Sequence, residues 1–235
     1  MTATSPTRVD PLPPRALDPA PAPAPTLSDL LRTSTRERHV RAEGSSFVED
    51  LMHGRLDVAA YIDLLAQHHT IYRALEGTQE FVRADPAGRT MVFDELTRLP
   101  AIEADLHALH GDDWSAHVDV LPATQRYADR LRAVAGSWVG GYVAHAYTRY
   151  LGDLSGGLAI RAILQRSYGL GDETLSFYTF PQIPKPKLFK DAYRERLDAL
   201  PFDPAERTRV IGEACVAFDL NTDVFTELAE RHRAS

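Results

Sequence analysis

The glycine-rich run at residues 147–157 constrains the fold of this chain more than any other segment, because it places three glycines inside a predicted helix. Glycine in a helix interior costs about 1 kcal/mol relative to alanine, so Gly152, Gly156 and Gly157 need a reason. Gly152 and Gly156 are four residues apart and therefore share one helix face. The backbone is bare on that face, and Asp153 places a carboxylate at its edge. The pattern predicts a surface on which a planar group lies against backbone.

Close packing of two helices through small residues is the alternative explanation of this segment. In that arrangement the glycines would face a neighbouring helix and Asp153 would face solvent. An isolated Gly-x-x-x-Gly motif favours this alternative. Here the motif carries further polar residues, because Tyr147 and Arg149 lie upstream and Ser155 lies between the glycines.

Composition places the chain among globular proteins and excludes several classes. Its 235 residues suit one domain with a sizeable core. A net charge of −7 argues against a general nucleic-acid binder. A single cysteine, Cys215, excludes an internal disulfide framework and fits a reducing, cytoplasmic location. No apolar stretch reaches the length of a membrane span, and the N-terminus lacks the apolar core of a secretory signal.

Two regions follow from the distribution of proline and of helical periodicity. Residues 1–25 hold eight of the 16 prolines and predict a disordered or polyproline-like arm. From residue 26 to 235 the apolar periodicity predicts an all-α, single-domain fold. Residues 177–187, with three prolines, predict an ordered loop. The predicted helices are 27–43, 57–84, 91–110, 122–134, 138–168, 186–199 and 204–231.

Among the nine histidines, His39 has the context of a ligand. It follows Leu31 and Thr35 on one row of the first helix, and Glu43 lies four residues further on. A carboxylate that accepts from one ring nitrogen leaves the other nitrogen free to bind a metal. His107 and His110 are three apart in an exposed-looking acidic segment, and we expect no functional metal there. For the remaining histidines, surface or core roles are sufficient.

Two separate strings resemble those of the haem oxygenase family. The string Arg-Tyr-Leu-Gly-Asp-Leu-Ser-Gly-Gly at 149–157 resembles the distal-helix signature, and Ser-Thr-Arg-Glu-Arg-His-Val-Arg-Ala-Glu at 34–43 resembles the proximal-helix segment. Further similar strings occur in family order at 54–56, 72–76, 177–178, 190–194 and 218–221. The resemblance covers nearly all of 27–231 and is closest to soluble bacterial members. It implies that haem is sandwiched between a proximal helix and a kinked distal helix.

The resemblance also implies a role for each candidate residue. His39 would be the axial ligand of the haem iron, oriented by Glu43, and Asp153 would deliver protons through ordered water. The distal wall would be the backbone at Gly152 and Gly156, and Ser155 and Gly157 would also bind haem. The hydrogen-bonded network around Asp153 would include Arg149, Tyr72 and Asn221, and the haem propionates would face Arg32, Tyr147, Lys185 and Arg194. The chain departs from the family at Leu158, where glutamine is common, and at Arg32, where lysine is frequent.

The implied activity is the oxygen-dependent cleavage of haem b to biliverdin, carbon monoxide and ferrous iron. The positions of the lysine and arginine residues suggest the α-isomer. Electrons must come from an external reductase, ferredoxin or similar donor, because the chain lacks a nucleotide-binding glycine loop. We expect no nucleic-acid partner, and a monomer or weak dimer.

Two other classes remain open. A non-catalytic haem-binding or haem-transfer protein would use His39 and the glycine helix but would gain nothing from a distal proton relay at Asp153. A helical hydrolase would use Cys215 as its nucleophile. The string Ala-Cys-Val-Ala-Phe around Cys215 predicts a buried core strip, in which a thiol is inert.

Overall fold

The computed structural model describes residues 24–233, and the described part of the chain is helical without strands. Five short 3₁₀ turns connect the α-helices, at Gly88–Met91, Asp94–Leu96, Trp114–Ala116, Asp172–Thr174 and Ser176–Tyr178. The α-helices of this part are α1 (Leu27–Glu43), α2 (Ser46–Met52), α3 (Val58–Glu76), α4 (Gln79–Ala84), α5 (Leu99–His110), α6 (Pro122–Ala135), α7 (Val139–Tyr168), α8 (Pro186–Asp198) and α9 (Pro204–Arg233).

The predicted helices agree with these bounds except in three places. The predicted helix 57–84 is broken at Gly77 into α3 and α4. The predicted helix 91–110 begins only at Leu99, because Pro100 occupies its first turn, where a missing N–H breaks no helical hydrogen bond. The seven-residue helix α2 was not predicted. Residues 1–23 of the predicted proline-rich arm lie outside the described residues.

Helix α1 is positioned at its beginning by two polar contacts. The Thr26 side chain accepts a hydrogen bond from the Asp29 backbone N–H and caps the helix. The backbone N–H of Ser28 donates to Asp198 Oδ1 at 2.7 Å, which ties α1 to the end of α8. Leu27 and Leu31 are buried and pack α1 against α9. Thr35 and His39 continue the same i, i+4 row and line the cleft described below.

Helix α7 is 30 residues long and packs against α3, α6 and α9. Its first half is buried, including Tyr142 and Ala146, each 0% exposed. Residues 139–168 form one continuous α-helix that includes Gly152 and Gly156. The kink expected near these glycines therefore does not divide α7 into two helices. It ends at Gly169, whose φ of 68° is a left-handed conformation that glycine adopts readily.

A buried ionic network fixes α7 to its neighbours. His145 Nε2 on α7 lies 2.9 Å from Glu213 Oε1 on α9, and Arg130 on α6 donates two hydrogen bonds to the same carboxylate. Burial alone would raise the pKa of Glu213, but the contacts with His145 and Arg130 lower it to about 2. Three helices are therefore joined at one charged centre below the cleft-forming part of α7.

None of the helices in the described part of the chain combines the length and apolar character that crossing a membrane requires.

Candidate active site between helices α1 and α7

A cleft of about 510 Å³ separates α1 from α7. Its volume lies within the range of small-molecule and cofactor sites. Of the candidate residues, it is lined by Arg32, His39, Glu43, Tyr147, Arg149, Gly152, Asp153, Ser155, Gly156, Arg194 and Asn221. Tyr72, Gly157 and Lys185 do not line it. The helix packing therefore brings most of the predicted residues to one place.

His39 lies on the α1 side of the cleft, one turn after Thr35 on the same helix face. Its Nδ1 lies 3.2 Å from Glu43 Oε2, and the edge of its ring contacts Phe218, with 5.7 Å between the ring centres. The side chain is 47% exposed. Because Nδ1 is occupied by Glu43, Nε2 is the nitrogen left for a metal ligand in the cleft.

The sequence allowed two roles for the glycines of α7, a bare wall for a planar ligand or close packing within the protein, and the structure shows both. A Cβ atom added to Gly152 or Gly156 would meet no other atom within 4 Å, and both residues line the cleft. A Cβ added to Gly157 would lie 3.1 Å from Tyr178 Cδ1, so Gly157 faces the protein interior. The bare strip of Gly152 and Gly156 is therefore a cleft wall, whereas Gly157 permits close packing.

Asp153 lies at the edge of this strip and is held by Tyr72. The Tyr72 hydroxyl, on α3, donates a hydrogen bond to Asp153 Oδ2. Burial raises the pKa of Asp153 above its ordinary value, and the charge of Arg149 and the bond from Tyr72 oppose this rise. A carboxyl group with a raised pKa in a cleft is suited to holding and releasing a proton.

Arg149 is a buried cation one turn before Asp153. Its Nη1 donates to Asn221 Oδ1 at 2.7 Å, and its guanidinium carbon lies 5.0 Å from the centre of the Tyr72 ring. Burial alone would lower the pKa of Arg149, but Tyr72 and Asp153 raise it above the ordinary arginine value. Arg149 therefore carries a permanent positive charge near the carboxylate of Asp153.

The opening of the cleft carries Arg32 and Arg194. Arg32 Nη2 lies 3.1 Å from Asp29, and Arg194 Nη1 lies 2.9 Å from Asp191. Both arginines lie near Tyr147. Burial raises the pKa of Tyr147 above its ordinary value, and the charges of Arg194 and Arg32 oppose this rise. Cations at one edge of an apolar slot can bind the carboxylates of an amphiphilic ligand.

Lys185 is not among the residues that line the cleft, whereas Lys190 contacts Ser155, which does line it. Lys185 is exposed and precedes α8. Lys190 Nζ donates to Ser155 Oγ on α7 at 3.1 Å. Lys190 and Arg194 are four residues apart and share a face of α8. This spacing is the signal that would have identified Lys190 from the sequence.

His68 is a cleft residue that the sequence analysis missed. It lies four residues before Tyr72 on α3, is 6% exposed, and its Nδ1 lies 3.3 Å from Arg149 Nη2. The i, i+4 relation to Tyr72 was the available signal. Arg36, also on the cleft wall, was missed as well.

Cys215 does not lie in the buried strip that the sequence predicted. It is partly exposed at the seam between α9 and α1, with its Sγ 3.7 Å from the Ser34 carbonyl oxygen. Its neighbours Ala214 and Ala217 are the residues of this turn that enter the core. Cys215 is not part of the cleft lining.

The histidines of the α5–α6 connection lie outside the cleft. His110, Asp113 and His117 place one potential ligand atom each within 4.8 Å of the others, but all three side chains are exposed. His107, which was considered with His110, instead pairs with Asp112.

Comparisons with known proteins show which family this chain is similar to. The family described as "Heme oxygenase" matches residues 25–227. Heme oxygenase 1 of Rattus norvegicus is 40% identical over 205 residues, covering 86% of this chain and 71% of the rat protein. Heme oxygenase 1 of Synechocystis sp. is 37% identical over 202 residues, covering 86% of this chain and 84% of that protein.

Solved structures are similar over the same region. Haem oxygenase-1 from Synechocystis sp. PCC6803, crystallised in complex with haem, has a TM-score of 0.85 at 35% identity and covers 89% of this chain and 95% of its own. Haem oxygenase from Leptospira interrogans has a TM-score of 0.81 at 33% identity, covering 86% of this chain and 99% of its own.

Proposed function

The chain belongs to the haem oxygenase family, and from that premise we propose which of its residues bind haem and which control its cleavage. Its activity is that of a haem oxygenase, with haem as both substrate and cofactor. The observation that supports the residue assignments is the cleft itself, which is lined by His39 of α1 and by Gly152, Asp153 and Gly156 of α7.

The residues of the cleft fit a haem group. A planar macrocycle needs a wall without side chains, and the open space around Gly152 and Gly156 supplies one. His39 would hold the iron through Nε2, because Glu43 occupies Nδ1. Arg32, Arg194, Lys190 and the hydroxyl of Tyr147 would bind the propionates. When bound, haem supplies the iron that activates dioxygen and the ring carbon that is oxidised.

Asp153 is proposed to hold and transfer protons on the distal side. Tyr72 fixes the orientation of its carboxyl group, and burial raises its pKa, so that the group can exchange a proton with water in the cleft. Arg149 and Asn221 hold each other at 2.7 Å and keep the positive charge beside this carboxyl group. A hydrogen-bonded network of this kind delivers protons without a side chain touching the reacting atoms.

Biliverdin, carbon monoxide and ferrous iron are the proposed products, and electrons come from an external donor. Lys190 and Arg194 give the cleft opening a basic edge, on which an acidic reductase or ferredoxin would dock within residues 185–196. Cations fixed on one side of the slot would also determine the rotation of the ring, which favours the α-isomer.

A haem carrier would need the slot but not the Tyr72–Asp153–Arg149 network, so this network favours the enzyme. The test is to incubate the one-to-one hemin complex with ascorbate under air and record the absorption spectrum. We expect the Soret band to disappear while bilin absorbance grows, and chromatography of the product to give the α-isomer. A Soret band that persists without bilin would support the carrier and contradict the enzyme.

A further inference from the structure

His68 is a buried histidine on the wall of the cleft for which the assignments above provide no role. Only 6% of the residue is exposed, and the residue lines the cleft in which the ligand would lie. Its ring packs on Phe177 at 5.4 Å between centres, which fixes the ring plane. It lies on the same face of α3 as Tyr72.

The contact with Arg149 determines which ring nitrogen of His68 carries the proton. A guanidinium group is donor-only, so the 3.3 Å contact between Arg149 Nη2 and His68 Nδ1 requires Nδ1 to accept. Nδ1 therefore has no proton, and the neutral ring carries its proton on Nε2. Burial, and then the charge of Arg149, lower the pKa of His68 well below its ordinary value, so that the ring stays neutral.

The Nε2–H group is then available to the cleft. Within residues 24–233, the only hydrogen bond of the His68 ring is the one to Arg149. Arg149 itself is shared between Asn221 and His68, which hold Nη1 and Nη2 respectively. Two acceptors on α9 and α3 thus fix a cation that lies on α7, next to Asp153.

We propose that His68 is a positioning residue of the distal pocket: its Nδ1 fixes the guanidinium of Arg149, and its Nε2–H donates a hydrogen bond to water in the cleft. This inference rests on the proposed function of the cleft and adds a neutral donor beside Arg149 to the cleft wall. A second protonated group would raise the positive charge beside Arg149, whereas the neutral imidazole extends the network without doing so.

Three variants separate this role from a role in packing alone. His68→Asn keeps an acceptor near the position of Nδ1, whereas His68→Leu keeps apolar volume and removes the acceptor. His69→Leu is the matched control, because His69 is 7% exposed and contacts Glu103 and Trp114 instead of the cleft. All three are compared with the wild-type full-length chain in the absence of hemin and as the hemin complex.

The first measurement is independent of catalysis. Side-chain ¹⁵N spectra of the hemin-free protein between pH 5 and 8 should show His68 as a neutral ring protonated at Nε2 throughout. A ring protonated at Nδ1, or one that becomes charged within this range, would overturn the proposal whether or not the protein cleaves haem.

The second measurement uses the hemin complex, for which we follow the pH midpoint of the ferric absorption change and the bilin yield. His68→Leu should shift the midpoint and lower the yield by roughly 10-fold, the effect of losing one hydrogen bond to a charged group. His68→Asn should restore part of both, because the acceptor for Arg149 returns while the Nε2–H donor stays absent, and His69→Leu should change neither. If the wild type forms bilin but His68→Leu behaves like His69→Leu, the proposal for His68 fails and the proposed function stands. If the wild type forms no bilin, the proposed function itself fails.

Discussion

Replacing Gly156 with alanine should stabilise the hemin-free protein and weaken hemin binding. Glycine in a helix interior is less favourable than alanine by about 1 kcal/mol, and an added Cβ at Gly156 meets no atom within 4 Å. The gain in folding stability from Gly156→Ala is therefore not offset by a steric clash. For a chain of this size, about 1 kcal/mol corresponds to a rise of roughly 2–4 °C in the unfolding temperature.

The same methyl group would occupy the strip on which the ligand lies. Overfilling a close contact by one such group costs about 1–3 kcal/mol, which corresponds to roughly 5- to 140-fold weaker binding. Gly156→Leu should have a larger effect on hemin binding. The two quantities are measured by thermal unfolding of the hemin-free protein and by absorption titration with hemin.

Gly157→Ala is the matched control because it is one residue away and faces Tyr178 at 3.1 Å. It should give no stabilisation, since Tyr178 must move, and it should leave hemin affinity unchanged. The reasoning is refuted if Gly156→Ala lowers the unfolding temperature, or if it binds hemin as tightly as the wild type does.

Three further predictions concern the distal network, the rim and the buried ionic centre. Asp153→Asn should still bind hemin but lose most of its bilin yield, measured by single-turnover absorption, and a normal yield would exclude the proton relay. Lys190→Ala should weaken hemin binding, measured by titration, by a larger factor than Lys185→Ala, and equal effects would contradict the assignment of the rim. Glu213 has a pKa lowered from 4.5 to about 2, so its stabilising contribution is complete above pH 4.5 and is lost as the pH falls toward 2. Glu213→Gln should therefore flatten the pH dependence of the unfolding free energy in this range, measured by denaturant titration, and an unchanged slope would contradict the pKa shift.

The sequence predicted the helical fold and the two walls of the cleft because both depend on local patterns. The i, i+4 spacing of Gly152 and Gly156 defines a helix face wherever that helix packs. The spacing of His39 and Glu43 places the two side chains in contact within one helix, and the structure has them 3.2 Å apart. Such features require no knowledge of tertiary contacts.

The features that the sequence did not reveal depend on contacts between distant segments. His68 acquires its environment only when α3 packs beside Arg149 of α7. Lys185 and Lys190 are both plausible cations in the sequence, and only the packing of α8 against Ser155 distinguishes them. Cys215 has apolar neighbours in sequence, but the α1–α9 seam leaves it partly exposed. The i, i+4 spacing of His68 with Tyr72 and of Lys190 with Arg194 indicates a shared helix face, but only the tertiary packing determines what that face contacts.

Axial ligation by His39 is the most direct test of the central claim, which is that haem lies between this imidazole and the bare face of α7. Hemin is titrated into the wild type, into His39→Ala and into His110→Ala, an exposed histidine outside the cleft. The wild type and His110→Ala should saturate at one hemin per chain with the absorption spectrum of a histidine-ligated haem, and His39→Ala should lose that spectrum. A histidine-type spectrum retained by His39→Ala, or the broad spectrum of free hemin with the wild type, would contradict the account.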